Sequence, residues 1–345
     1  MDSKTKRTLE QKLSAIQENE RRKLYKRATT IRKNSLPDAT SESLDDIVLR
    51  LLIDDEATTD AAEAETATGD VTWVGRKTCR LTDIECELNG HRVAVGDIVS
   101  YEPDTLRLKS VLPRKSLLSR PDPGNPNIEM PIVANVDIVL IVVSVKSPPL
   151  HVRIIDRYLI AIQRSGAQAA LCVNKLDLVS ADERELELAK LLAYADLDLP
   201  IIGCSVDTGE GIDKVRELIE GKTVAFVGHS GVGKSSLTNA VVPGLAEITG
   251  TVMKGYGRGK HTTTWSSLHD LGNGTRIIDT PGIRSLGIGN ISPEELKWHF
   301  PEFEGIRCKF SDCSHTHEPD CGVKAAVGGA IKQARYDTYV RLRSG

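Results

Sequence analysis

Residues 223–235 read TVAFVGHSGVGKS, a short apolar run followed by the pattern G-x-x-x-x-G-K-S. Because a helix-forming stretch follows at once, the pattern has the strand–loop–helix context in which it forms a phosphate-binding loop. The glycines let backbone N–H groups turn toward phosphate oxygens. We expect Lys234 to contact the β- and γ-phosphates and Ser235 to bind Mg²⁺. The predicted loop residues are Gly228, His229, Ser230, Gly231, Val232, Gly233, Lys234, Ser235 and Ser236.

A second motif, Asn174-Lys175-Leu176-Asp177, precedes this loop and follows an apolar run that ends at Val173. A carboxylate at Asp177 can accept hydrogen bonds from N1–H and the exocyclic amine of guanine, whereas adenine offers neither donor there. The tetrapeptide alone is a weak signal, but beside a phosphate loop it predicts a guanine-nucleotide site. Ser205 ends the next predicted strand, where GTPases place a loop whose backbone amide meets guanine O6; Val206 replaces the usual Ala.

The turn Asp279-Thr280-Pro281-Gly282 follows both motifs. We expect Asp279 to hold Mg²⁺ through water and the Gly282 amide to meet the γ-phosphate. A nucleotide site only needs these loops at the C-terminal ends of neighbouring strands, so their order in the chain is free. The guanine motif comes first here, which predicts a circularly permuted GTPase domain.

The stretch between phosphate loop and turn is glycine-rich and contains Thr262, Thr263 and Thr264. One of these threonines is expected to reach Mg²⁺ and the γ-phosphate as switch I, and the sequence does not decide which. Ile283 stands where many GTPases carry a Gln that orients the attacking water. His261 is the nearest catalytic candidate, although a loop histidine is more often only solvated. Slow unassisted turnover is the firmer prediction.

The sequence changes from a pattern of short strands to an alternation of strands and helices near position 119. From Val136 to Leu286 strands and helices alternate, which predicts a parallel α/β sheet. From Val71 to Pro113 the sequence predicts short strands at Val71–Val74, Thr78–Leu88, His91–Val99 and Leu106–Leu112, with turns at Asn89-Gly90 and Gly96-Asp97. This pattern predicts a small closed barrel, OB-like in form. A basic edge of this barrel suits either phosphate contacts with structured RNA or a solubilising rim. The edge residues are Arg107, Lys109, Arg114, Lys115 and Arg120.

A cysteine and histidine cluster near the C-terminus has the spacing Cys-x4-Cys-x-His-x5-Cys. Its members are Cys308, Cys313, His315 and Cys321. Three thiolates and one imidazole favour a closed, structural Zn²⁺ site, with His317 as a lower-ranked competing ligand. The alternative is a set of unpaired thiols in a reduced tail. The other cysteines, at positions 79, 86, 172 and 204, stand singly in the sequence.

The first 68 residues have a different composition. The net charge of the whole chain is -3, but residues 1–35 carry eleven Lys/Arg and four Asp/Glu, and residues 36–70 carry one and eleven. The basic arm suits nucleic acid or is a solvated, partly disordered tail, and an apolar helical face around Val48 suits docking on the body or on a partner. With no run near the ~18 apolar residues of a membrane span and no secretory signal visible, we expect a cytoplasmic protein.

Taken together, these motifs resemble the ribosome-small-subunit-dependent GTPase A family (RsgA, also called YjeQ). The resemblance runs from about Gly69 to the C-terminus and includes the Gly96-Asp97 turn, the segment 257–264 and the cluster through Glu318-Pro319; Lys260 stands where the family often has Arg. It implies hydrolysis of GTP to GDP and phosphate, with Mg²⁺, in late maturation of the small (30S) ribosomal subunit. It also implies binding of 16S rRNA through barrel and zinc domain, stimulation by the subunit, and release after hydrolysis. Other assembly factors are further candidate partners, and a monomer without membrane contact is expected.

The predicted organisation is therefore multidomain. Residues 1–68 form a charged extension, 69–118 an OB-fold barrel, 119–290 the permuted GTPase domain and 291–345 a mainly helical zinc-binding domain. Two other functions stay open: an ATP-using P-loop enzyme, and an RNA-binding assembly factor that keeps nucleotide only as a structural ligand. We further expect the guanine-reading half of the domain to adjoin the barrel and the Asp279 turn to tie γ-phosphate sensing to the zinc domain.

Overall fold

The computed structural model describes residues 66–122, 124–125, 128–242, 267–279 and 291–344, together with Val48. The chain divides into two compact units, Met1–Thr66 and Ala67–Gly345. The architecture given below is that of the second unit. Apart from Val48, the helical face and the charged arm predicted for the extension lie outside the described residues.

Five short strands close into a barrel. They are β1 (Ala67–Val74), β2 (Thr78–Leu81), β3 (Ile84–Glu87), β4 (Ile98–Glu102) and β5 (Arg107–Val111). The strand β1 pairs with both β2 and β4, and β3 and β4 both pair with β5, so no edge is left between them. Eight buried side chains, Leu108 and Val99 among them, fill the interior. The small closed barrel predicted from the sequence is thus present.

Two of the predicted barrel strands differ from the structure. The run Thr78–Leu88 is divided between β2 and β3 because Thr82 has a left-handed backbone, with φ of 43°. The run His91–Val99 is largely irregular, and β4 begins only at Ile98. Gly96 explains the second difference, since its φ of 89° interrupts an extended chain.

A two-stranded hairpin that the sequence does not predict follows the barrel. It consists of β6 (Leu117–Pro121) and β7 (Glu129–Ala134). Val133 bridges to Val95 of the barrel, and the Ala134 amide donates to the Val95 carbonyl at 2.9 Å. The hairpin therefore connects barrel and sheet.

Within the described residues the α/β sheet has six strands, five of them parallel. Its strands are β8 (Ile138–Ser144), β9 (Gln168–Asn174), β10 (Ile201–Gly203), β11 (Thr223–Val227), β12 (Ser267–Asp270) and β13 (Arg276–Asp279). Its helices are α1 (Val152–Ser165), α2 (Ala181–Ala189), α3 (Ile212–Ile219) and α4 (Lys234–Val241). Alternate strand residues pack on opposite faces: α1 covers the face with Val143 and Val227, and α3 and α4 cover the face with Leu140 and Phe226. The predicted parallel α/β sheet is thus present.

The order across the sheet is β10-β9-β8-β11-β13-β12, and the barrel continues it because β1 pairs with β12 at Trp73 and Ser267. The strands that carry the guanine motif and Ser205 are therefore at the edge opposite to the barrel. With neighbouring strands roughly 4.8 Å apart, β9 lies about 24 Å from β1. The guanine-reading half does contact the barrel at its start, where Nδ2 of Asn135 donates to the Gly96 carbonyl at 2.8 Å. Its motif strands do not adjoin the barrel, because proximity along the chain does not set strand order.

The last part of the unit, residues 291–344, is called the C-terminal module below. It contains short 3-10 helices at Leu296–His299 and Pro301–Phe303, then α5 (Gly322–Ala326) and α6 (Gln333–Ser344). Its mainly helical character agrees with the sequence. Phe300, Phe303 and Tyr339 form a buried aromatic core, with ring centroids 4.9–5.3 Å apart. The predicted domain boundaries stay a prediction, since all these elements fall within Ala67–Gly345.

Candidate nucleotide site and metal centre

The phosphate loop and the guanine motif meet at one end of the sheet. The strands β8, β9, β10, β11 and β13 run parallel, so their C-terminal ends all lie at that end of the sheet. The phosphate loop leaves β11 there and leads into α4, whose first residue is Lys234. The free N–H groups of that first turn, together with the helix dipole, favour an anion at this position.

Glycine is required at two points of the phosphate loop. Gly228 and Gly233 have φ of 144° and 92°. A Cβ on Gly228 would lie 2.1 Å from the Val142 carbonyl oxygen, and one on Gly233 would lie 2.4 Å from Nδ2 of Asn174. Such distances leave no room for a side chain, so the loop packs directly on the neighbouring strands.

The ammonium group of Lys234 lies inside the loop. Its Nζ donates to the carbonyl oxygens of Gly228 at 2.7 Å and His229 at 2.5 Å. A cation held at the centre of a ring of turned amides is well placed to meet phosphate oxygens. Val232 is buried beside it and anchors the loop on the sheet.

The guanine motif is bonded directly to the phosphate loop. Nδ2 of Asn174 donates to the Val232 carbonyl at 3.0 Å, while its Oδ1 accepts from the Lys175 amide at 2.8 Å. Lys175 has φ of 67°, and its Nζ donates to the carbonyls of Gly231, at 2.6 Å, and Ser147. Two of the four motif residues thus brace the loop that precedes α4.

Asp177 is oriented by Ser205. The Ser205 hydroxyl, which is buried, donates to Oδ1 of Asp177 at 2.5 Å. The Ser205 amide donates to the Glu210 carbonyl at 2.9 Å, so its hydroxyl, and not its amide, is the group directed at the guanine motif. The arrangement presents a carboxylate whose position is fixed before any base arrives.

Two cysteines that the sequence shows as unrelated are neighbours beneath these loops. Sγ of Cys172 lies 3.2 Å from Sγ of Cys204, and both side chains are fully buried. The hydrogen bond to Cys204, together with burial, raises the pKa of the Cys172 thiol. In the barrel, Cys79 and Cys86 likewise face each other across β2 and β3. Strand pairing creates both pairs, and the sequence held no signal for it.

The remaining predicted nucleotide contacts are only partly described. Asp279 ends β13, where its backbone pairs with Ser267. Gly282, the three switch threonines (Thr262, Thr263, Thr264) and His261 lie outside the described residues. Their roles stay predictions.

The four predicted metal ligands converge in the C-terminal module. The ligand atoms of Cys308, Cys313, His315 and Cys321 all lie within 4.8 Å of one another. Zinc–sulfur bonds of about 2.3 Å in a tetrahedron put two sulfurs about 3.8 Å apart. The Sγ atoms of Cys308 and Cys321 are 3.8 Å apart, and Nδ1 of His315 lies 3.4 and 3.5 Å from them. This donor set fits Zn²⁺, whereas the side chain of His317 is 84% exposed and outside the cluster.

The protein environment favours the ionised form of one ligand. Burial pushes the pKa of the Cys308 thiol upward, but hydrogen bonds from the backbone of Val323 and Gly322 and from neighbouring thiols outweigh it and lower the pKa. The thiolate is the form that binds a metal. Glu318 accepts from the amides of Ser314 and Thr316 at 2.7 and 3.2 Å and so shapes the loop that carries His315.

The fold and the phosphate and guanine motifs define a P-loop GTPase with a circularly permuted domain. The chain belongs to the RsgA GTPase family, whose sequence model matches residues 111–289. It is accordingly a GTP hydrolase, and the family predicted from the sequence is confirmed.

Several relatives show how far the likeness extends. The small ribosomal subunit biogenesis GTPase RsgA of Thermotoga neapolitana is 41% identical over 269 residues, covering 74% of this chain and 87% of that protein. The protein of the same name from Gemmatimonas aurantiaca is 39% identical over 260 residues, covering 73% and 84%. Among solved structures, YjeQ from Thermotoga maritima has a TM-score of 0.66 and 36% identity, covering 81% of this chain and 98% of that one. YloQ, described as a circularly permuted GTPase, has a TM-score of 0.62 and 26% identity over 82% and 96%.

Among the helices of the described ranges, none combines the length and the apolar character that a membrane span requires.

Proposed function

We propose that this chain hydrolyses GTP in late maturation of the small (30S) ribosomal subunit, that it binds the subunit through 16S rRNA, and that the subunit stimulates hydrolysis. One observation carries the proposal: a guanine motif braces the phosphate loop in a chain whose relatives are named small ribosomal subunit biogenesis GTPases. A site in the cytoplasm, where subunits assemble, belongs to the same proposal.

The residues of the nucleotide site divide the work. Lys234 and the loop amides hold the phosphates, and Asp177, fixed by Ser205, reads the base. Ser235 in the first turn of α4 and Asp279 at the end of β13 would hold Mg²⁺. Bound Mg²⁺ would neutralise charge on the β- and γ-phosphates. The further contacts we propose are the Gly282 amide, one of Thr262, Thr263 and Thr264, and His261 as the candidate that orients water.

Hydrolysis without a partner should be slow. Ile283 has no group that could orient an attacking water, and GTPases lacking such a group depend on an activating partner. A large RNA-containing subunit that completes the site would supply the missing group that orients the attacking water. This is the physical reason to expect stimulation by the subunit.

The barrel is the proposed RNA-binding surface, but only some of its basic residues are available. Arg114 donates to both carboxylate oxygens of the buried Asp97, at 2.6 and 2.8 Å. Lys115 is paired with Asp137 at 2.7 Å. Arg114 therefore braces the end of the barrel, and Lys115 links it to the start of the sheet. Exposed barrel cations include Arg76, Lys77, Arg92 and Lys109, whereas Arg107 is exposed but paired with Glu87 at 3.2 Å.

The C-terminal module is the second proposed RNA contact, with one structural Zn²⁺ at the four ligands. The closed donor set, with three thiolates and an imidazole, supports a structural role over a catalytic one. The five strands of the barrel agree with an OB-type fold. We retain residues near 69, 119 and 291 as the proposed domain boundaries.

The decisive experiment is GTP hydrolysis with and without purified 30S subunits. We expect slow turnover alone and a rise of at least about ten-fold with subunits. Turnover that stays absent in both conditions would favour the RNA-binding factor that uses nucleotide as a structural ligand, and unstimulated turnover would also overturn the proposal.

RNA contact by the barrel is tested with the double variant Arg76→Ala, Lys77→Ala. The slope of the logarithm of the subunit-binding constant against the logarithm of salt concentration should become smaller by about one for each phosphate-binding cation that is removed. Lys214→Ala, an exposed change on α3, is the matched control and should bind as the wild type does. Equal slopes for all three proteins would contradict RNA contact at this turn of the barrel.

A further inference from the structure

Helix α1 and the loop before it lie between the nucleotide site and the C-terminal module. The loop contacts the nucleotide site at its tip: the Ser147 carbonyl accepts from Lys175, and a Cβ on Gly231 would lie 3.6 Å from Cδ of Pro148. The Ser144 hydroxyl fixes this loop by donating to the Pro148 carbonyl at 2.7 Å. The loop that leads into α1 therefore packs against the phosphate loop.

Tyr158 provides a second contact from α1 to that loop. Its side chain is 3% exposed and packs in the same core cluster as Val143 and Val227. Burial raises the pKa of its phenol, while a hydrogen bond with the backbone of Gly228 opposes this rise. Gly228 is the first residue of the phosphate loop and follows Val227, the last residue of β11, which shares its core cluster with Tyr158, so Tyr158 packs where the loop leaves that strand.

Asp156, on the same helix, is bound to the C-terminal module. Its Oδ1 accepts from Nη1 of Arg335 at 2.6 Å and from the Tyr194 hydroxyl at 2.9 Å. Arg335, on α6, is 2% exposed and also donates to both oxygens of Glu302. Its guanidinium lies 4.6 Å from the ring centroid of Phe300. An ion pair this deeply buried is costly to separate once formed, so α1 and α6 are held together.

The rest of α1 extends this attachment. Ile160, which is 1% exposed, packs within the core of the C-terminal module. Oε1 of Gln163 lies 3.2 Å from Nδ1 of His299. One helix of 14 residues thus contacts the phosphate loop and the module at the same time.

We propose that Tyr158, Asp156 and Arg335 are positioning residues through which the C-terminal module orders the phosphate loop. Binding of phosphates requires several glycines to keep left-handed or extended conformations, and ordering them costs entropy. Because α6 fixes α1 and the loop before it, this entropic cost is lower when the nucleotide arrives. Coupling between binding equilibria is reciprocal, so a bound nucleotide stabilises the packing of α6 on α1 by the same factor.

Hydrogen exchange of the full chain, measured with and without saturating GDP and in the absence of subunits, tests the coupling. In the wild type we expect GDP to slow exchange in residues 333–344 several-fold. Tyr158→Phe removes one hydroxyl, so the protein should still bind GDP, but more weakly, and most of the slowing should disappear. Tyr101→Phe makes the same change in the barrel core and should respond as the wild type does. Exchange in 333–344 that ignores GDP in the wild type, or that responds fully in Tyr158→Phe, would overturn the proposal.

A second variant separates positioning from mere stability. Arg335→Lys keeps a positive charge but loses the fork that serves Asp156 and Glu302 together. We expect the folded variant to bind GDP several-fold more weakly and to show a higher KM for GTP than the wild type, with less change in kcat. A protein that melts earlier yet binds GDP with wild-type affinity when folded would show that Arg335 is only structural. Absence of subunit stimulation, the failure of the proposed function, leaves these measurements unaffected.

Discussion

At the scale of single residues, Asp177 is the residue that we propose selects the base. The Ser205 hydroxyl fixes Oδ1, so the carboxylate meets a base without having to be ordered first. We predict that Asp177→Asn weakens GDP binding by at least about 100-fold, since hydrogen bonds to a charged group contribute roughly 1.5–3 kcal/mol each. Binding of xanthosine diphosphate should improve, because xanthine carries a carbonyl where guanine has its amine and can accept from Nδ2 of the new side chain.

Calorimetric titration with GDP, XDP and ADP measures this specificity. Asp182→Asn, the same change at an exposed position of α2, should bind GDP as the wild type does. Comparable affinities of the wild type for ADP and GDP would support the ATP-using alternative and remove Asp177 from base selection.

Gly233 allows a second test at the residue scale. A matched glycine, Gly221, separates the cost of a left-handed backbone from the cost of a steric clash. Gly233→Ala must adopt a left-handed backbone, at about 1–2 kcal/mol, and must also push against Asn174, only 2.4 Å from its Cβ. Gly221→Ala has a similar φ of 65° but open space around its Cβ. We therefore expect GDP binding to be abolished in the first variant and retained in the second, with both slightly less stable.

Fluorescent GDP titrations and thermal melts measure the two quantities. If both glycine variants bound GDP equally well, Asn174 would not brace the loop as the distances indicate.

At the scale of elements, local pattern predicted most of what the sheet contains. The strand β11 occupies Thr223–Val227, the range expected from the sequence, and α4 follows its glycine loop. A buried parallel strand bounded by such a loop is specified by its own residues. The hairpin of β6 and β7 was missed because proline in both strands argues against a strand, and its pairing with the barrel is decided by distant residues.

The same distinction holds in the sites. Cys308, Cys313, His315 and Cys321 are near one another in sequence, and the sequence predicted the group that the fold assembles. By contrast, the contact between Cys172 and Cys204 and the pairing of Asp156 with Arg335 join residues 32 and 179 positions apart. Neither could be predicted without the topology.

The metal centre is the element whose removal should have the largest local effect. Tyr336 and Tyr339 of α6 donate to the carbonyls of His315 and Ser314 at 2.8 and 2.6 Å, which ties the helix to the ligand loop. Structural zinc contributes about 10–16 kcal/mol in small zinc-binding peptides. We predict that Cys313→Ser loses the bound zinc and opens the C-terminal module, while the α/β sheet stays folded.

Metal analysis combined with hydrogen exchange checks this outcome. The matched variant is His317→Ala, which alters an exposed histidine two positions from His315 and should keep its zinc. Loss of zinc in His317→Ala, or its retention in Cys313→Ser, would require a different ligand set.

At the scale of the whole molecule, the barrel and the C-terminal module both attach close to the phosphate loop and Asp279. The barrel joins the sheet at β12, which pairs with β13, the strand that ends at Asp279, and the C-terminal module is bound to α1, beside the phosphate loop. Each attached part thus contacts an element next to the phosphate loop or to Asp279, and neither pairs with β9 or β10, the strands before the proposed base-binding residues. RNA held by the barrel and the module would therefore act on the half of the site where hydrolysis occurs.

The joint between barrel and sheet can be tested with two glycines of the barrel itself. A Cβ on Gly96 would lie 2.3 Å from the Ala134 carbonyl oxygen and 3.2 Å from Cδ1 of Ile278, whereas a Cβ on Gly90 would have nothing within 4 Å. Their φ values are 89° and 80°, so both alanine variants bear the same backbone strain. The additional effect of Gly96→Ala comes from the close approach of the barrel to β7 and β13. We expect it to lower the melting temperature by several degrees more than Gly90→Ala does.

Turnover distinguishes a loosened joint from a general decrease in stability. If the barrel transmits subunit binding to the sheet, Gly96→Ala should keep the slow unassisted rate at 25 °C and lose most of the stimulation by subunits. Gly90→Ala should keep both. Full stimulation in a Gly96→Ala protein that melts early would mean that RNA binding acts on the nucleotide site without this joint, leaving the attachment of the C-terminal module to α1 as the remaining route.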